Sequence, residues 1–138
     1  MALILDTGPL VAAADRDDAA HTSCRELIDR ADELLVVPSP VLPEFDYLAS
    51  GAVGPGPMIS ILRDIEAGAV VVEDLEVDDY LRVRELMDAY ADMDVGFVDA
   101  AVLAIVERLG EVKLATLDRR HFSAMRPRHV EALELLPA

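Results

Sequence analysis

Four carboxylates stand where short apolar runs end or where predicted helices begin. Asp6 follows the apolar run at residues 3–5, and Asp118 ends a similar run later in the chain. Glu44 and Asp99 fall in the first turns of two predicted helices. In a parallel α/β sheet, the carboxyl ends of the strands and the N-termini of the following helices share one edge. We therefore expect these four side chains to meet in one cleft.

Carboxylates gathered in this way can hold a metal ion that supports hydrolysis. Unneutralised carboxylates in one cleft repel one another and raise each other's pKa, and helix N-termini relieve only part of this repulsion. Divalent cations relieve the rest, and all-oxygen ligands select Mg²⁺ or Mn²⁺ over zinc. One or two such ions can activate water and orient a phosphate. The predicted chemistry is phosphodiester hydrolysis, with the four carboxylates as catalytic residues and metal ligands.

Two further residues are predicted to assist this site. Asp92 lies in an acidic turn before the helix of Asp99, and Thr116 lies two residues before Asp118. Each of the six residues named so far could instead have a purely structural role, as a helix cap, a partner of a helix dipole or a turn residue. The histidines and the single cysteine show no zinc-binding spacing, and no convincing Ser–His or Cys–His pair indicates a nucleophilic enzyme.

The elements that must position these residues follow an α/β pattern. Short apolar runs bounded by turn residues predict strands at residues 3–5, 34–37, 69–72, 113–117 and 130–136. Helical periodicity predicts helices at residues 10–14, 19–31, 40–51, 58–67, 77–90 and 97–109, with a helical turn at 119–122. This order predicts a three-layer α/β fold in which helices flank a mostly parallel central sheet.

The start of the helix that carries Glu44 is marked by Ser39 as the N-cap and Pro40 in the first turn. This start places Glu44 within about a turn and a half of the helix N-terminus, so its side chain can point back towards the strand ends. The Gly-Pro-Gly-Pro segment at residues 54–57 is a strong loop signal but is too short to link two domains. We therefore expect a single domain over residues 1–138.

The composition is that of a folded, acidic protein. The chain has 27 acidic and 12 basic residues, a net charge of −15 and 53% hydrophobic residues. This charge argues against broad binding of nucleic acid and favours metal ions or basic partners. The single cysteine, Cys24, excludes an intramolecular disulfide and fits a reducing cytoplasm. Because we find no signal peptide and no apolar run of the roughly 18 residues that a membrane helix needs, we expect a cytoplasmic protein.

Several short motifs together resemble the PIN domain, and more narrowly the VapC-type toxins of bacterial toxin–antitoxin pairs. The motifs span nearly the whole chain in the order of that family: Leu5-Asp6-Thr7-Gly8-Pro9-Leu10, Pro43-Glu44, Tyr90-Ala91-Asp92, Val98-Asp99-Ala100-Ala101 and the segment from Ala115 to Phe122. Any one of these motifs is weak, but the set is specific. Met93 and Asp94 depart from the pattern, since many relatives have apolar and Pro residues there.

The resemblance implies a Mg²⁺- or Mn²⁺-dependent endoribonuclease that acts as a toxin. In the family, the acids that match the four carboxylates form the metal site that cleaves RNA. A small VapB-type antitoxin restrains such toxins, its C-terminal segment covers the acidic cleft, and the toxins usually form homodimers. Arg119 and Arg120, beside Asp118, match a frequent pattern and are the predicted contacts to an RNA substrate such as a tRNA or an rRNA.

Two other families and one binding module compete with this interpretation. A haloacid-dehalogenase-like phosphatase needs a second aspartate two residues after the first, where this chain has Gly8. A receiver domain needs a lysine after a strand, whereas Lys113 precedes the apolar residues of its strand. The remaining alternative is a PIN fold that binds a protein partner without catalysis, and the presence of all four acids argues against it.

Overall fold

Five strands form one sheet in the computed structural model, which describes residues 1–138. The strands are β1 (Ala2–Leu5), β2 (Leu34–Pro38), β3 (Val71–Glu73), β4 (Lys113–Ala115) and β5 (Glu134–Leu136). They lie in the order β3-β2-β1-β4-β5, and every neighbouring pair is parallel. The predicted α/β fold with a parallel central sheet is therefore confirmed.

Seven helices flank the sheet, and the first six of them fall into two packed groups. The helices are α1 (Thr7–Ala14), α2 (His21–Asp29), α3 (Val41–Val53), α4 (Gly56–Glu66), α5 (Val77–Ala89), α6 (Phe97–Leu109) and α7 (Arg119–Ala124). A short 3-10 turn at Ala91–Met93 joins α5 to α6. Helix α1 packs on α2 and α3, α3 packs on α4, and α5 packs on α6. No helix combines the length and the apolar character that crossing a lipid bilayer requires.

The centre of the core is formed by β1 and α6. All residues of β1 are buried, and α6 is buried without a break from Ala100 to Val106. Continuous apolar sequence is typical of a strand that is covered on both faces and of a helix that is packed on all sides. Helix α6 ends at Gly110, whose left-handed backbone (φ 68°) favours glycine. The two elements that deliver Asp6 and Asp99 are thus the most deeply buried in the chain.

The predicted N-cap role of Ser39 is wrong. Helix α3 begins at Val41 with Pro40 at the N-cap position, and no side chain makes a capping hydrogen bond there. The N–H of Ser39 donates instead to the carbonyl of Glu73 (2.9 Å), which extends the pairing of β2 with β3. Ser39 lies in the turn between β2 and α3, where its carbonyl accepts the N–H of Leu42 (3.1 Å), so the helix begins after this turn rather than at Ser39.

Most other element boundaries also differ from the prediction by a few residues, and two of these differences have a clear physical reason. Helix α1 begins at Thr7 rather than at residue 10, since Pro9 is tolerated in the first turn of a helix. The last strand covers only Glu134–Leu136 instead of residues 130–136. Its length is set by its partner β4, which offers only the backbone of Lys113–Ala115 for pairing.

Ion pairs fix α6 against α5 and the end of β3. Arg108 on α6 donates to Asp79 Oδ2 (2.9 Å) on α5 and to Glu73 Oε1 (2.8 Å) at the end of β3. Asp79 is only 5% exposed and also accepts the N–H of Glu76. A carboxylate buried to this extent depends on its partner cation. The pairing therefore contributes to holding the helix that carries Asp99.

Replacing Arg108 with Ala leaves Asp79 buried without its cation, so we expect the free energy of unfolding to fall by about 3 kcal/mol. The matched control is Arg84→Ala, because the side chains of Arg84 and Asp88 are 66% and 74% exposed. For the control we expect a change within about 0.5 kcal/mol. Urea unfolding followed by circular dichroism measures both values, and equal effects of the two substitutions would contradict the role given to the buried pair.

Candidate active site

The four predicted carboxylates lie at the edge of the sheet where β1 and β4 end. Asp6 and Asp118 occupy the N-cap positions of α1 and α7. Glu44 and Asp99 lie in the first turns of α3 and α6. Each of the other three carboxylates is close enough to Asp6 for the charges to interact. We call these four side chains the acidic cluster, because the charges of the other three act on or respond to that of Asp6.

A single hydroxyl joins Asp6 to Asp118. Thr116 is 1% exposed; its Oγ1 donates to Asp6 Oδ2 (2.8 Å) and accepts the N–H of Asp118 (3.0 Å). This contact extends the register of β1 with β4, in which Leu5 lies opposite Ala115 and the N–H of Asp6 donates to the Ala115 carbonyl (2.9 Å). Thr116 therefore orients the Asp6 carboxylate and shapes the turn that leads to Asp118.

Asp6 is buried, and half of its carboxylate has no partner. The residue is 5% exposed, and its Oδ1 atom makes no hydrogen bond. Burial raises the pKa of Asp6 above its ordinary value. The hydrogen bond from Thr116 and the nearby backbone N–H of Thr7, which does not reach hydrogen-bond geometry with Oδ1, oppose this rise, and the charge of Glu44 adds to it. A buried carboxylate oxygen without a donor costs free energy unless a proton or a cation meets it. This oxygen therefore indicates a place for a ligand.

A histidine that sequence reasoning did not select lies among the acids. His121 Nδ1 is 2.9 Å from Asp99 Oδ2 and 2.8 Å from Asp118 Oδ2, and its Nε2 is 2.8 Å from the Met93 carbonyl oxygen. One ligand atom from each of Asp99, Asp118 and His121 lies within 4.8 Å of the others. The signal in the sequence was the three-residue spacing of Asp118 and His121 at a helix start, which places both on one face.

Burial and neighbouring charges shift the pKa values of Asp99 and Asp118 in opposite directions. Burial, followed by the charge of Asp6, raises the pKa of Asp99 to about 6. Burial also acts to raise the pKa of Asp118, but the N–H and the charge of His121 outweigh it, and the pKa is lowered. Burial acts to lower the pKa of His121, yet the Met93 carbonyl and the Asp99 carboxylate hold that pKa above its ordinary value. Without a metal ion, Asp99 therefore keeps its proton to a higher pH than Asp118 does.

The other two predicted acids, Glu44 and Asp92, make no hydrogen bond to Asp6, Asp99 or Asp118. Glu44 is half-buried and acts on Asp6 through its charge rather than through a hydrogen bond. Asp92 is exposed on the turn at Ala91–Met93, and its side chain makes no hydrogen bond. The structure gives Asp92 no contact with the other acids, so its assisting role stays a prediction.

The two predicted RNA-binding arginines differ in their surroundings. The Nη2 group of Arg119 donates to the carbonyl oxygens of Leu135 (3.2 Å) and Pro137. Between these two positions, the carbonyl of Leu136 accepts the N–H of Thr116 (2.8 Å). Arg119 therefore ties the C-terminal strand to the turn that carries the site. Arg120 is exposed and forms no ion pair, so its guanidinium group is available to a ligand.

Asp99→Asn is expected to remove part of the pH dependence of stability in the metal-free protein. The pKa of Asp99 is about 6 in the folded chain and about 4 in an unfolded one. The folded state therefore binds the proton more tightly, and the contribution of this group to the free energy of unfolding falls as pH rises between those values. We expect the loss of stability from about pH 4.5 to about pH 6 to be smaller in the variant by about 1–2 kcal/mol.

Urea unfolding of metal-stripped protein at several pH values measures this difference. Asp46→Asn is the control, because Asp46 is exposed on α3 and should leave the slope of the parent protein unchanged. In Asp99→Asn, part of the pH dependence of the free energy of unfolding should remain, because burial also raises the pKa of Asp6. Parallel curves for the parent protein and Asp99→Asn would contradict the electrostatic description of the cluster.

Comparisons with known proteins agree with this geometry. Residues 3–126 match the family model described as PIN domain. Ribonuclease VapC26 of Mycobacterium tuberculosis is 34% identical over 125 residues, which cover 91% of this chain and 93% of that protein.

Solved structures share the fold. The crystal structure of Mycobacterium tuberculosis VapC20, described as a Sarcin-Ricin loop cleaving toxin, matches with a TM-score of 0.81 at 21% identity and covers 94% of this chain and 98% of that chain. VapBC2 from Rickettsia felis, bound to a DNA fragment from its promoter, matches with a TM-score of 0.67 at 20% identity and covers 98% of each chain. The chain therefore belongs to the PIN domain family, among its VapC-type toxin ribonucleases.

Proposed function

We propose that this chain is a Mg²⁺- or Mn²⁺-dependent endoribonuclease and the toxin of a toxin–antitoxin pair. The residues that hold the ion and support hydrolysis of RNA phosphodiester bonds are Asp6, Glu44, Asp99 and Asp118. The observation that carries this proposal is the buried Asp6 carboxylate, whose Oδ1 has no partner within the acidic cluster. The 34% identity to Ribonuclease VapC26 supports the same reaction.

The side chains of the cleft fit a hard divalent ion. Carboxylate oxygens are the ligands that Mg²⁺ and Mn²⁺ prefer, and one of them is both buried and unsatisfied here. A bound ion of this kind supplies an activated water and neutralises charge on the phosphate. The chemistry requires no thiol nucleophile, and the one thiol of the chain, Cys24, is buried against Ala12 and Ala13 of α1.

Residues of the chain hold these ligands in place before a substrate arrives. Thr116 engages Asp6 Oδ2 and leaves Oδ1 free. The N–H of His121 donates to Asp118 Oδ1 (3.0 Å), which fixes that side chain at the start of α7. Asp99 stands on α6, the most buried helix. Such preorganisation lowers the conformational freedom that substrate binding must remove.

We propose that a VapB-type antitoxin binds to an apolar cavity beside α1, α2 and α4. The cavity has a volume of about 570 Å³, and its lining includes Leu10, Ile28, Ile61 and the acidic residue Asp64. A segment with apolar and basic side chains fits this lining, and the net charge of −15 attracts such a segment. A partner in this position can extend over the acidic cleft and restrain the enzyme.

A second copy of the chain is the proposed occupant of an apolar face on α5. Val77, Tyr80 and Leu81 are exposed on α5 at a spacing that places them on one face. Tyr80 and the exposed Phe97 line one shallow depression together with Pro40. Exposed apolar residues grouped in this way favour burial in an interface, so we propose a homodimer through this face.

The reaction is tested by incubating a structured RNA, such as a tRNA or an rRNA fragment, with the protein and Mn²⁺. We expect cleavage by the parent protein. Asp6→Asn should slow it by about 100-fold or more, because loss of a residue that only hydrogen-bonds to a metal ligand already costs up to about 100-fold in activity. Asp46→Asn, an exposed change on α3, should cleave as the parent protein does. Intact RNA in the presence of the parent protein and Mn²⁺, with antitoxin binding retained, would favour the non-catalytic protein-binding module instead.

Arg120→Ala is expected to weaken RNA binding while the chemical step is little changed. Arg120 is exposed and unpaired beside Asp118, so its loss should remove one phosphate contact. The slope of the logarithm of the binding constant against the logarithm of the salt concentration should then become shallower by about one. Fluorescence anisotropy with labelled RNA and Ca²⁺ in place of Mg²⁺ measures binding at several salt concentrations. Arg63→Ala, an exposed arginine on α4, is the control, and equal salt slopes for both variants would exclude Arg120 as an RNA contact.

A further inference from the structure

We propose that His121 is itself a ligand of the divalent ion, so that the metal centre combines carboxylate oxygens with one imidazole nitrogen. This inference rests on the metal-dependent function proposed above and changes the chemistry of its metal centre. A mixed set of nitrogen and oxygen donors differs from an all-oxygen set in the ions that it prefers. The ligand atom is Nδ1, which faces Asp99 and Asp118.

The hydrogen bond of the other ring nitrogen, Nε2, identifies Nδ1 as the nitrogen that is able to bind a metal ion. His121 Nε2 lies 2.8 Å from the backbone carbonyl of Met93. A carbonyl oxygen can only accept, so Nε2 must carry the hydrogen in this contact. In the neutral ring, the lone pair is then on Nδ1. Histidines that bind metals commonly donate their second N–H to a backbone carbonyl or a carboxylate, and Met93 supplies that contact here.

The spacing of the donor atoms fits neighbouring positions around one ion. Two ligands that are adjacent in an octahedral site with bonds of about 2.1 Å lie about 3 Å apart. Nδ1 of His121 lies 2.9 Å from Asp99 Oδ2 and 2.8 Å from Asp118 Oδ2. In the neutral ring, all three atoms present lone pairs to one another, so a proton or a cation must lie among them. A proton takes this place in the metal-free protein, and a divalent ion that displaces it would meet the same three atoms.

A second observation concerns Asp6, which interacts with the same acids. The Oδ1 atom of Asp6 is buried without a partner, and the charge of Asp6 interacts with those of Asp99 and Asp118. Thr116 links Asp6 to the backbone of Asp118, so Asp6 belongs to the same acidic cluster as the imidazole. This cluster thus holds one buried acceptor without a hydrogen bond, beside the two carboxylate oxygens that meet the ring nitrogen of His121.

The imidazole is held as firmly as a ligand requires. The N–H of His121 is bound by Asp118 Oδ1 (3.0 Å), and the following residue, Phe122, is 4% exposed and packs into the core. Together with the Met93 contact, these interactions fix both the backbone and the ring plane. A rotation that removed Nδ1 from the two carboxylates would also break the Nε2 hydrogen bond to Met93.

Pulsed electron paramagnetic resonance on the Mn²⁺-loaded full chain tests the ligand directly. With ¹⁵N-labelled histidine, we expect the hyperfine coupling of a coordinated imidazole nitrogen in the parent protein and its loss in His121→Gln. His129→Gln is the matched control, because His129 also contacts a backbone carbonyl through Nε2, that of Glu111. The control should retain the coupling.

Calorimetric titration with Mn²⁺ and with Mg²⁺ provides a second measurement. Since imidazole favours Mn²⁺ over Mg²⁺, we expect His121→Gln to weaken Mn²⁺ binding by about 10-fold or more and Mg²⁺ binding less. Mn²⁺ binding without nitrogen coupling in the parent protein, or coupling that persists in His121→Gln, would overturn the inference and leave the proposed function standing. An equal loss of affinity for both ions would also contradict it. Failure of the parent protein to bind either ion would instead remove the basis of the proposed function itself.

Discussion

Negative charge at the end of a buried strand is the constraint on which the rest of the site depends. Asp6 cannot move towards solvent, because every residue of β1 before it is buried and its own N–H is bound to Ala115. One of its oxygens is satisfied by Thr116, and the other is left without a donor. The packing of β1 and α6 stabilises the fold enough to tolerate this unfavourable group. Such local destabilisation within a well-packed core is typical of sites that bind a ligand.

Structural and functional roles are combined in the same side chains. Asp118 caps α7 through Oδ1, while its Oδ2 faces His121. Thr116 serves both neighbours in the same way, since its hydroxyl donates to Asp6 and accepts from the backbone of Asp118. A helix cap and a metal ligand are therefore not alternatives for an acid at this edge. The two oxygens of one carboxylate can fill both roles.

The parts of the fold that the sequence predicts well are those in which local pattern and burial agree. The apolar run before Asp6 predicts a buried strand and the apolar run after Asp99 predicts a buried helix, and both are confirmed. The positions of Asp6 and Asp118 follow from the parallel sheet, because parallel strands end at one edge. The capping role predicted for Ser39 was wrong because α3 begins only at Val41, after a turn in which Ser39 accepts the N–H of Leu42.

Contacts made by long polar side chains were not predictable. Arg119 and Arg120 are adjacent and alike in sequence, yet one binds carbonyls of the C-terminal strand and the other is free. That difference depends on where β5 ends, which no local pattern specifies. His121 escaped notice for a related reason. Its position among the acids depends on Met93, at the end of a 3-10 turn remote in sequence from α7.

The burial of α6 has a consequence for how the protein can be controlled. A helix whose residues from Ala100 to Val106 are enclosed without a break cannot slide or rotate without opening the core. Asp99 is therefore carried on an element with essentially one position, and allosteric adjustment from within the fold is unfavourable. Regulation of such an enzyme falls to occlusion from outside, which switches access to the cleft on or off and leaves its internal architecture unaltered.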